Sequence, residues 1–256
     1  MKMHAWISAA AIAAALFTFS SAAEADDLAK IKEAGKMSVA LSGAFPPMSF
    51  VDESNAVVGF DVDIGSELAR RIGVEPEIVT TAWDGIIAGL VTGRYDTIVG
   101  SMGITDERKK SVDFVGPYYR SGLAIFVLAD SPVQSLEDLK DKTVGVNLGE
   151  LAEQWATEHG GWKISTYKGL PELYLELTSG RIDAFIADDV PVLVAVKGGE
   201  PFRQIKAKDL PIWDIGIAVR KDNPELTAAL QKALDDMMAD GTYMKISDKW
   251  IGADMR

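Results

Sequence analysis

Strand-like and helix-like segments alternate along almost the whole chain. The run KMSVAL is typical of a short strand, and DVDIGSELARRIG carries Ile64, Leu68 and Ile72 four residues apart, which is the spacing of one helix face. We expect Asp61 to cap that helix. The alternation continues through PEIVTTAW, DGIIAGLVTG, SGLAIFVLA, KTVGVN and GELAEQWATEHG. It predicts an α/β fold with a mainly parallel sheet.

One internal similarity indicates two units built alike. LVTGRYDTIVGS resembles LTSGRIDAFIAD: both contain a helix end, a glycine, a basic residue, an aspartate (Asp96 or Asp183) and a buried strand. The strand tips are Ser101 and Asp188. Because ligands bind beyond the carboxyl ends of strands in open α/β sheets, these tips are expected to face one cleft. The alternative is that such units recur by chance in α/β proteins.

Residues 1–25 are expected to be a secretory signal peptide. A basic start precedes an apolar run, Ile7 to Phe19, that is too short to span a bilayer. Ala23, Glu24 and Ala25 have the A-x-A pattern of a signal-peptidase site. The mature chain would then begin at Asp26, outside the cytoplasm. A retained membrane anchor is the alternative.

Charge and composition exclude several classes of function. The formal net charge is −12, which does not suit binding to nucleic acid or anionic lipid. The chain has no cysteine, and His159 is the one histidine beyond the predicted signal peptide. Nucleophile–histidine catalysis and a histidine-rich metal site are therefore not expected, and no cofactor is expected.

The stretch GSMGITDERKK places small residues at a strand end and an arginine behind them. Gly100, Ser101 and Gly103 would let a ligand approach the backbone. Arg108, in the first turn of a predicted helix, could bind a carboxylate with both arms. Across the cleft Asp188 could take an ammonium, which together predicts a zwitterion such as an α-amino acid. The alternatives are an exposed basic helix face for Arg108 and a helix cap for Asp188.

Two aromatic residues also lie at predicted strand ends. Phe45 is in GAFPPMSF and Trp83 is in TAWDG. There they could enclose the apolar part of a small ligand. The alternative for each, taken alone, is a place in the hydrophobic core.

The chain resembles the family-3 solute-binding proteins, the periplasmic receptors of polar amino-acid ABC importers. The motifs that carry the resemblance are GFDVDI with ELARRIG, WDGIIAGLVTGRYDTIVGSMGITDERKKSVDFVGPYY, SLEDLKDKTVGV, SGRIDAFIADD, GIAVRKDNPEL and DGTYMKISDKWIG. They occur in the family's order and cover the mature chain.

The resemblance implies a fold, a domain division and partners. It implies a type II clamshell of two lobes, residues 26–119 plus 215–256 and residues 120–214. The chain would cross between them near Tyr119–Gly122 and Ile212–Gly216. A periplasmic monomer that binds an amino acid or a derivative and delivers it to an inner-membrane permease is expected.

The resemblance also implies residue roles. Arg108 would bind the α-carboxylate, helped by a backbone N–H near Leu151, and Asp188 would bind the α-ammonium. The backbone at Gly100 and Ser101 would help hold the ammonium and side chain. The complete predicted site is Phe45, Trp83, Gly100, Ser101, Gly103, Arg108, Asn147, Leu151 and Asp188.

Several positions depart from the family's pattern. Gly103 stands where a serine or threonine is frequent, and Gly149-Glu150-Leu151 replaces Gly-Thr-Thr or Gly-Thr-Ser. Met48 replaces the second aromatic of the first loop. Ser42 stands where receptors for basic amino acids often carry aspartate, while Glu150 would favour a basic ligand if it points inward. The side-chain class stays open, and opines and non-proteinogenic amino acids remain candidates.

Two other classes of function are compatible with the resemblance. Some secreted proteins of this fold are cyclohexadienyl dehydratases, acting on arogenate or prephenate, and they need a general acid in the cleft. Glu150 is the candidate acid. A sensor domain is the third class and would need a fused transmembrane segment.

Overall fold

The computed structural model describes residues 26–256, so the predicted signal peptide lies outside the described residues. The strands are β1 (Lys36–Leu41), β2 (Ala44–Phe45), β3 (Ser49–Val51), β4 (Val57–Val58), β5 (Glu75–Thr80), β6 (Thr97–Gly103), β7 (Val112–Leu128), β8 (Thr143–Asn147), β9 (Lys163–Tyr167), β10 (Ala184–Asp188), β11 (Phe202–Gln204) and β12 (Ile212–Arg220). The helices are α1 (Asp27–Ala34), α2 (Phe60–Arg71), α3 (Ile86–Val91), α4 (Asp106–Lys109), α5 (Leu151–His159), α6 (Leu170–Thr178), α7 (Asp189–Lys197), α8 (Pro224–Ala239) and α9 (Thr242–Ile251).

The strands form the α/β architecture that the alternation predicts. The main sheet has the order β5-β1-β6-β12-β7-β10-β8-β9, with β11 beside β7. Strands β5, β1 and β6 are parallel at one end, and β10, β8 and β9 are parallel at the other. Helices flank both halves, giving the two-lobed clamshell fold. Within the described residues, no helix combines the length and apolar character needed to cross a bilayer.

Strands β7 and β12 join the two halves. The first part of β7 pairs antiparallel with β12, and its last part pairs with β10 and β11. Ile212 lies opposite Gly122, and Ile215 lies opposite Tyr119. The two segments expected to cross between lobes are therefore bonded to each other. The sequence indicated a strand only from Ser121, whereas β7 begins nine residues earlier, at Val112. The exact lobe limits stay a prediction.

The internal similarity corresponds to one local structure used twice. Asp96 follows α3, and its carboxylate accepts a hydrogen bond of 2.8 Å from the backbone N of Ser38 at β1. Asp183 follows α6, and its carboxylate accepts one of 2.8 Å from the backbone N of Thr143 at β8. Asp96 thus holds β6 beside its parallel neighbour β1, and Asp183 holds β10 beside its parallel neighbour β8. Both β6 and β10 end at the cleft.

Helix α2 buries the predicted apolar face, but its start differs from the prediction. Ile64 and Leu68 are fully buried, and their burial stabilises the half of the molecule that contains β1, β5 and β6. Asp61 is not the cap: Gly59 holds that position, and Asp61 lies inside the first turn. The cap prediction was wrong because the Asp61 carboxylate is fully buried beneath the cleft, where it accepts bonds from two distant side chains.

Candidate functional site

A cavity of about 420 Å³, including its opening to solvent, lies between the two halves at the carboxyl ends of β6 and β10. Every predicted site residue except Asn147 is among the lining residues, which are Ser42, Phe45, Trp83, Gly100, Ser101, Gly103, Arg108, Glu150, Leu151, Ala152, Asp188, Trp213 and Ile215. The structure thus brings the separately predicted residues together.

Arg108 is held at the cavity by the short helix α4. Thr105 caps this helix: its Oγ1 accepts a hydrogen bond of 3.2 Å from the backbone N of Arg108. One guanidinium arm donates to the backbone carbonyl of Gly103 at 2.9 Å. The guanidinium carbon also lies 5.8 Å from the centre of the Trp83 ring, which favours a cation. The side chain is therefore oriented while some of its N–H donors remain for a ligand.

Asp188 ends β10 and occupies the cap position of α7. Its side chain makes no capping bond there, so the carboxylate is available to the cavity. The next residue, Asp189, performs the structural role: its carboxylate accepts from the hydroxyl of Ser121 at 3.1 Å and from the backbone N of Gly122 at 3.0 Å. Asp188 therefore has the position of a helix cap, as the alternative expected, but its side chain does not make the hydrogen bond of a cap.

Three charged groups face one another in the cavity. Burial lowers the pKa of Arg108, while Glu150 and Asp188 act to raise it. Burial raises the pKa of Glu150 to about 7, against lowering effects of Asn147 and Arg108. Burial and the neighbouring carboxylates Glu150 and Asp189 raise the pKa of Asp188 well above its usual range. The geometry is suited to a ligand that carries both charges.

Ser101 lines the cavity, but both its hydroxyl and its backbone N–H are used in a buried hydrogen-bond network. The hydroxyl donates to the Asp61 carboxylate at 2.7 Å. The backbone N donates to the phenol oxygen of Tyr118 at 2.9 Å, and that phenol donates to Asp61 at 2.7 Å. Ser101 has a φ of 59°, a left-handed conformation that is uncommon for serine. The buried network with Asp61 holds the strand tip in this shape.

Glycine at positions 100 and 103 allows close contacts at the cavity wall. A β-carbon on Gly100 would lie 3.4 Å from Cζ3 of Trp83. One on Gly103 would lie 2.7 Å from Cδ1 of Leu151. Leu151 is the first residue of α5, so its backbone N–H has no partner within the helix. That N–H is at the helix end that favours anions.

Asn147 lies outside the lining residues, at the end of β8. It is 2 % exposed. Its side-chain oxygen has no hydrogen-bond partner among residues 26–256. Burial raises the pKa of the Glu150 carboxyl, and hydrogen bonding from the Asn147 amide acts to lower it. Asn147 therefore contacts Glu150 and does not itself line the cavity.

Sequence reasoning missed part of the wall. Trp213 on β12 contacts the cavity beside Gly103, and Ile215 and Ala152 complete the lining. The signal for Trp213 was an aromatic residue within a segment expected to cross between the lobes. Ser42 was noted only as a departure from the family's pattern, yet it also lines the cavity.

The halves touch on the outer side of the cavity as well. A β-carbon on Gly169, just before α6, would lie 2.4 Å from the carbonyl oxygen of Ala44 in β2. A β-carbon on Gly149 would lie 2.9 Å from Cα of Asp84. These distances are too short for any side chain, so the structure has the two halves closed against each other. Among the described residues no cluster of metal-binding side chains occurs.

Known proteins of similar sequence and structure include several that are named for binding amino acids. L-cystine-binding protein TcyJ of Escherichia coli K12 is 37% identical over 231 residues, covering 89% of this chain and 87% of TcyJ. The crystal structure of the ancestral amino acid-binding protein AncCDT-1, a precursor of cyclohexadienyl dehydratase, matches with a TM-score of 0.82 and 38% identity, over 88% of this chain and 99% of its own.

A second solved structure carries a ligand. An ancestral arginine-binding protein bound to arginine matches with a TM-score of 0.78 and 40% identity, over 84% of this chain and 98% of its own. Residues 37–253 match the family described as bacterial extracellular solute-binding proteins, family 3. The chain belongs to the family-3 bacterial extracellular solute-binding proteins.

Proposed function

We propose that the protein captures an amino acid, or an amino-acid derivative, in the periplasm and delivers it to the permease of an ABC importer. The observation that carries the proposal is the opposition of Arg108 and Asp188 across one cavity. Neither forms an ion pair with any residue in the described range 26–256. A zwitterionic ligand would therefore supply a counter-charge to Arg108 and to Asp188 at the same time.

The contacts suggest how each part of such a ligand is bound. Arg108 and the free N–H of Leu151 would take the α-carboxylate, since both favour negative charge. Asp188 would take the α-ammonium, with the backbone at Ser101 nearby. Phe45 and Trp83 would enclose the apolar part. Because the charges come from different lobes, a bound ligand would favour the closed state over the open one.

A binding screen tests this proposal. The purified protein is unfolded and refolded to remove bound ligand, and its thermal midpoint is measured with each L-amino acid, with opines and with betaines. A ligand at a hundred times its dissociation constant adds about 2.7 kcal/mol, which raises the midpoint by about 5–11 °C for a chain of this size. Failure of every amino acid and derivative would refute the proposal.

A dehydratase acting on arogenate or prephenate is the second candidate. One observation favours it: Glu150 lines the cavity with a pKa of about 7, which suits a general acid at neutral pH. The names of TcyJ and AncCDT-1 describe binding proteins, and this favours the receptor. Turnover of arogenate or prephenate by the purified protein would decide for the enzyme.

A further inference from the structure

Glu150 and the expected ligand carboxylate share one cation. Arg108 would bind that carboxylate together with the N–H of Leu151, and Glu150 immediately precedes Leu151. Arg108 and Glu150 both line the cavity, and both also line a groove that leads out of it. An ionised Glu150 would attract the same guanidinium and repel the ligand's carboxylate. In its ionised form Glu150 would therefore oppose binding.

The charges of the cavity balance only when one carboxyl is neutral. Arg108 contributes one positive charge, and Asp188 and Glu150 contribute one negative charge each when ionised. A zwitterion adds one charge of each sign, so one negative charge would remain in excess between the closed halves. Leaving such a charge without a partner is costly. A proton on Glu150 removes the excess and keeps Asp188 for the ligand's ammonium.

The amide beside Glu150 is an independent sign that Glu150 carries a proton. Asn147 is buried, and its side-chain oxygen has no hydrogen-bond partner among the residues that the structure describes. Buried polar atoms nearly always have one. The Asn147 amide already hydrogen-bonds to Glu150. Because a carboxylate only accepts, whereas a protonated carboxyl also donates, the protonated form of Glu150 can pair with the amide oxygen as well.

The surroundings of Glu150 contain little positive charge. Arg108 is the one cation among the described residues that line the cavity and the groove. The other charged and polar groups on the elements around Glu150 are Asp188 at the end of β10, Asn147 of β8, Glu107 of α4, Glu153 and Glu158 of α5, and Asp84 beside Gly149. Burial raises the pKa of Glu150 to about 7, although Asn147 and Arg108 act to lower it.

We propose that Glu150 controls ligand binding through its protonation state: the neutral acid pairs with the Asn147 amide and leaves Arg108 to the ligand's carboxylate, whereas the ionised form competes for Arg108. The inference rests on the proposed amino-acid site and adds pH control to it. The proton comes from solvent through the groove, which Glu150 also lines. The contribution of Glu150 to affinity is therefore favourable below its pKa and is lost as pH rises through that value.

The pH dependence of affinity tests this control. Calorimetric titration at pH 6 and pH 8 uses the L-amino acid that gives the largest shift in the binding screen. With a pKa of about 7, about nine-tenths of the free protein carries the proton on Glu150 at pH 6 and about one-tenth at pH 8. Apparent affinity scales with the fraction that is competent to bind. Asp188 also titrates, and its ionisation favours binding at the higher pH, so the decisive quantity is the ratio of variant to wild-type affinity at each pH.

Two variants that cannot titrate at position 150 supply this ratio. Glu150→Gln keeps an amide that can donate to Asn147, and Glu150→Thr keeps a hydroxyl donor. For both, the ratio of variant to wild-type affinity should rise about tenfold from pH 6 to pH 8. Glu150→Gln should bind within about threefold of wild type at pH 6 and more tightly than wild type at pH 8. Glu107→Gln, the same charge change at an exposed residue of the groove, should match the wild type at both pH values.

Two results would overturn the inference. One is a ratio that is the same at pH 6 and pH 8. The other is weaker binding by Glu150→Gln than by wild type at pH 8, because Glu150 would then assist binding as an ionised group. If one variant fails to fold, as its thermal midpoint shows, the other gives the ratio. If no amino acid binds at all, the proposed function fails instead.

Discussion

Cδ1 of Leu151 lies 2.7 Å from the place that a β-carbon on Gly103 would occupy. The two departures from the family's pattern are therefore one feature, in which the leucine fills the space left by a missing side chain. Gly103 ends β6 in one half of the sheet, and Leu151 begins α5 beside β8 in the other half, so their contact joins the two halves across the cavity.

A double-mutant cycle measures this coupling. Gly103→Ser should weaken ligand binding, because the new side chain meets Leu151 as the lobes close. Leu151→Thr should relieve the collision, so the double variant should bind better than the sum of the single losses allows. Contacting residues typically couple by about 0.5–3 kcal/mol. Calorimetric titration of the four proteins gives the coupling, and additivity within about 0.3 kcal/mol would argue against it.

Removing the carboxylate partner should strongly reduce affinity. Truncating one member of a desolvated charge pair costs about 2–5 kcal/mol, so Arg108→Ala should bind its ligand about 30-fold or more weakly. Lys109→Ala, the exposed neighbour on the same short helix, is the control. An affinity for Arg108→Ala within about threefold of wild type would remove Arg108 from the site.

The ammonium partner is tested separately. Asp188→Asn keeps the size of the side chain and removes its charge, and we expect a loss of similar size. Asp235→Asn, an exposed change on α8, serves as the control for net charge. Wild-type affinity in Asp188→Asn, measured by the same titration, would show that the ammonium binds elsewhere.

Replacing Gly169 by alanine should hinder closure of the two halves without disturbing folding. Its φ of −177° is one that any residue adopts, so alanine causes no backbone strain. Its β-carbon would, however, lie 2.4 Å from the Ala44 carbonyl oxygen, which blocks full closure. Gly169→Ala should keep the unliganded fold, bind ligand more weakly and stay more extended with ligand by small-angle X-ray scattering.

Gly85 provides the matched glycine. A β-carbon there would meet no atom within 4 Å, so Gly85→Ala should close on ligand as the wild type does. Equal ligand-induced compaction in the Gly169 and Gly85 variants would mean that the contact at Ala44 does not limit closure.

The buried Asp61 should make stability depend on pH. Its pKa is raised from 3.8 to about 7 in the folded state, so between these values the folded protein binds more protons than the unfolded chain. This carboxyl therefore makes the free energy of unfolding fall as pH rises from about 4 to about 7. The Asp61→Asn variant cannot titrate at this position, so its free energy of unfolding lacks this decrease with pH.

Urea unfolding of both proteins across that range isolates the effect. The free energy of unfolding of Asp61→Asn, relative to wild type, should increase with pH. A lost hydrogen bond would shift the difference by the same amount at every pH. A difference that is constant from about pH 4 to pH 7 would therefore exclude the titration of Asp61.

Features set by residues close together in the sequence could be predicted, whereas features set by distant residues could not. The aspartates at 96 and 183 were recognisable because a helix end, a glycine and a strand form a local pattern. Asp61 was misassigned because its partners Ser101 and Tyr118 are 40 and 57 residues away. A cap is the usual role of such a residue at a helix start, and nothing local indicates a buried carboxylate.

The wall formed by the second lobe was the harder part. Trp213 lies beside Gly103 in the cavity wall, and Gly169 lies against Ala44 on the outer side. Both contacts join residues that are far apart in the sequence. Neither local periodicity nor turn chemistry indicates which surfaces meet on closure. Arg108 was found because it lies just beyond the predicted strand tip at Ser101, and Asp188 because it is itself a predicted strand tip. Topology brings such tips to one edge of a sheet.

The position of β12 has a consequence for biosynthesis. It lies between β6 and β7, yet it is the last strand along the described chain. While a nascent chain still lacks Ile212–Arg220, the edges of two long strands that belong together remain unpaired, and exposed edges invite wrong pairings. The first half can thus complete its sheet only after Ile212–Arg220 has been synthesised, more than a hundred residues after β6.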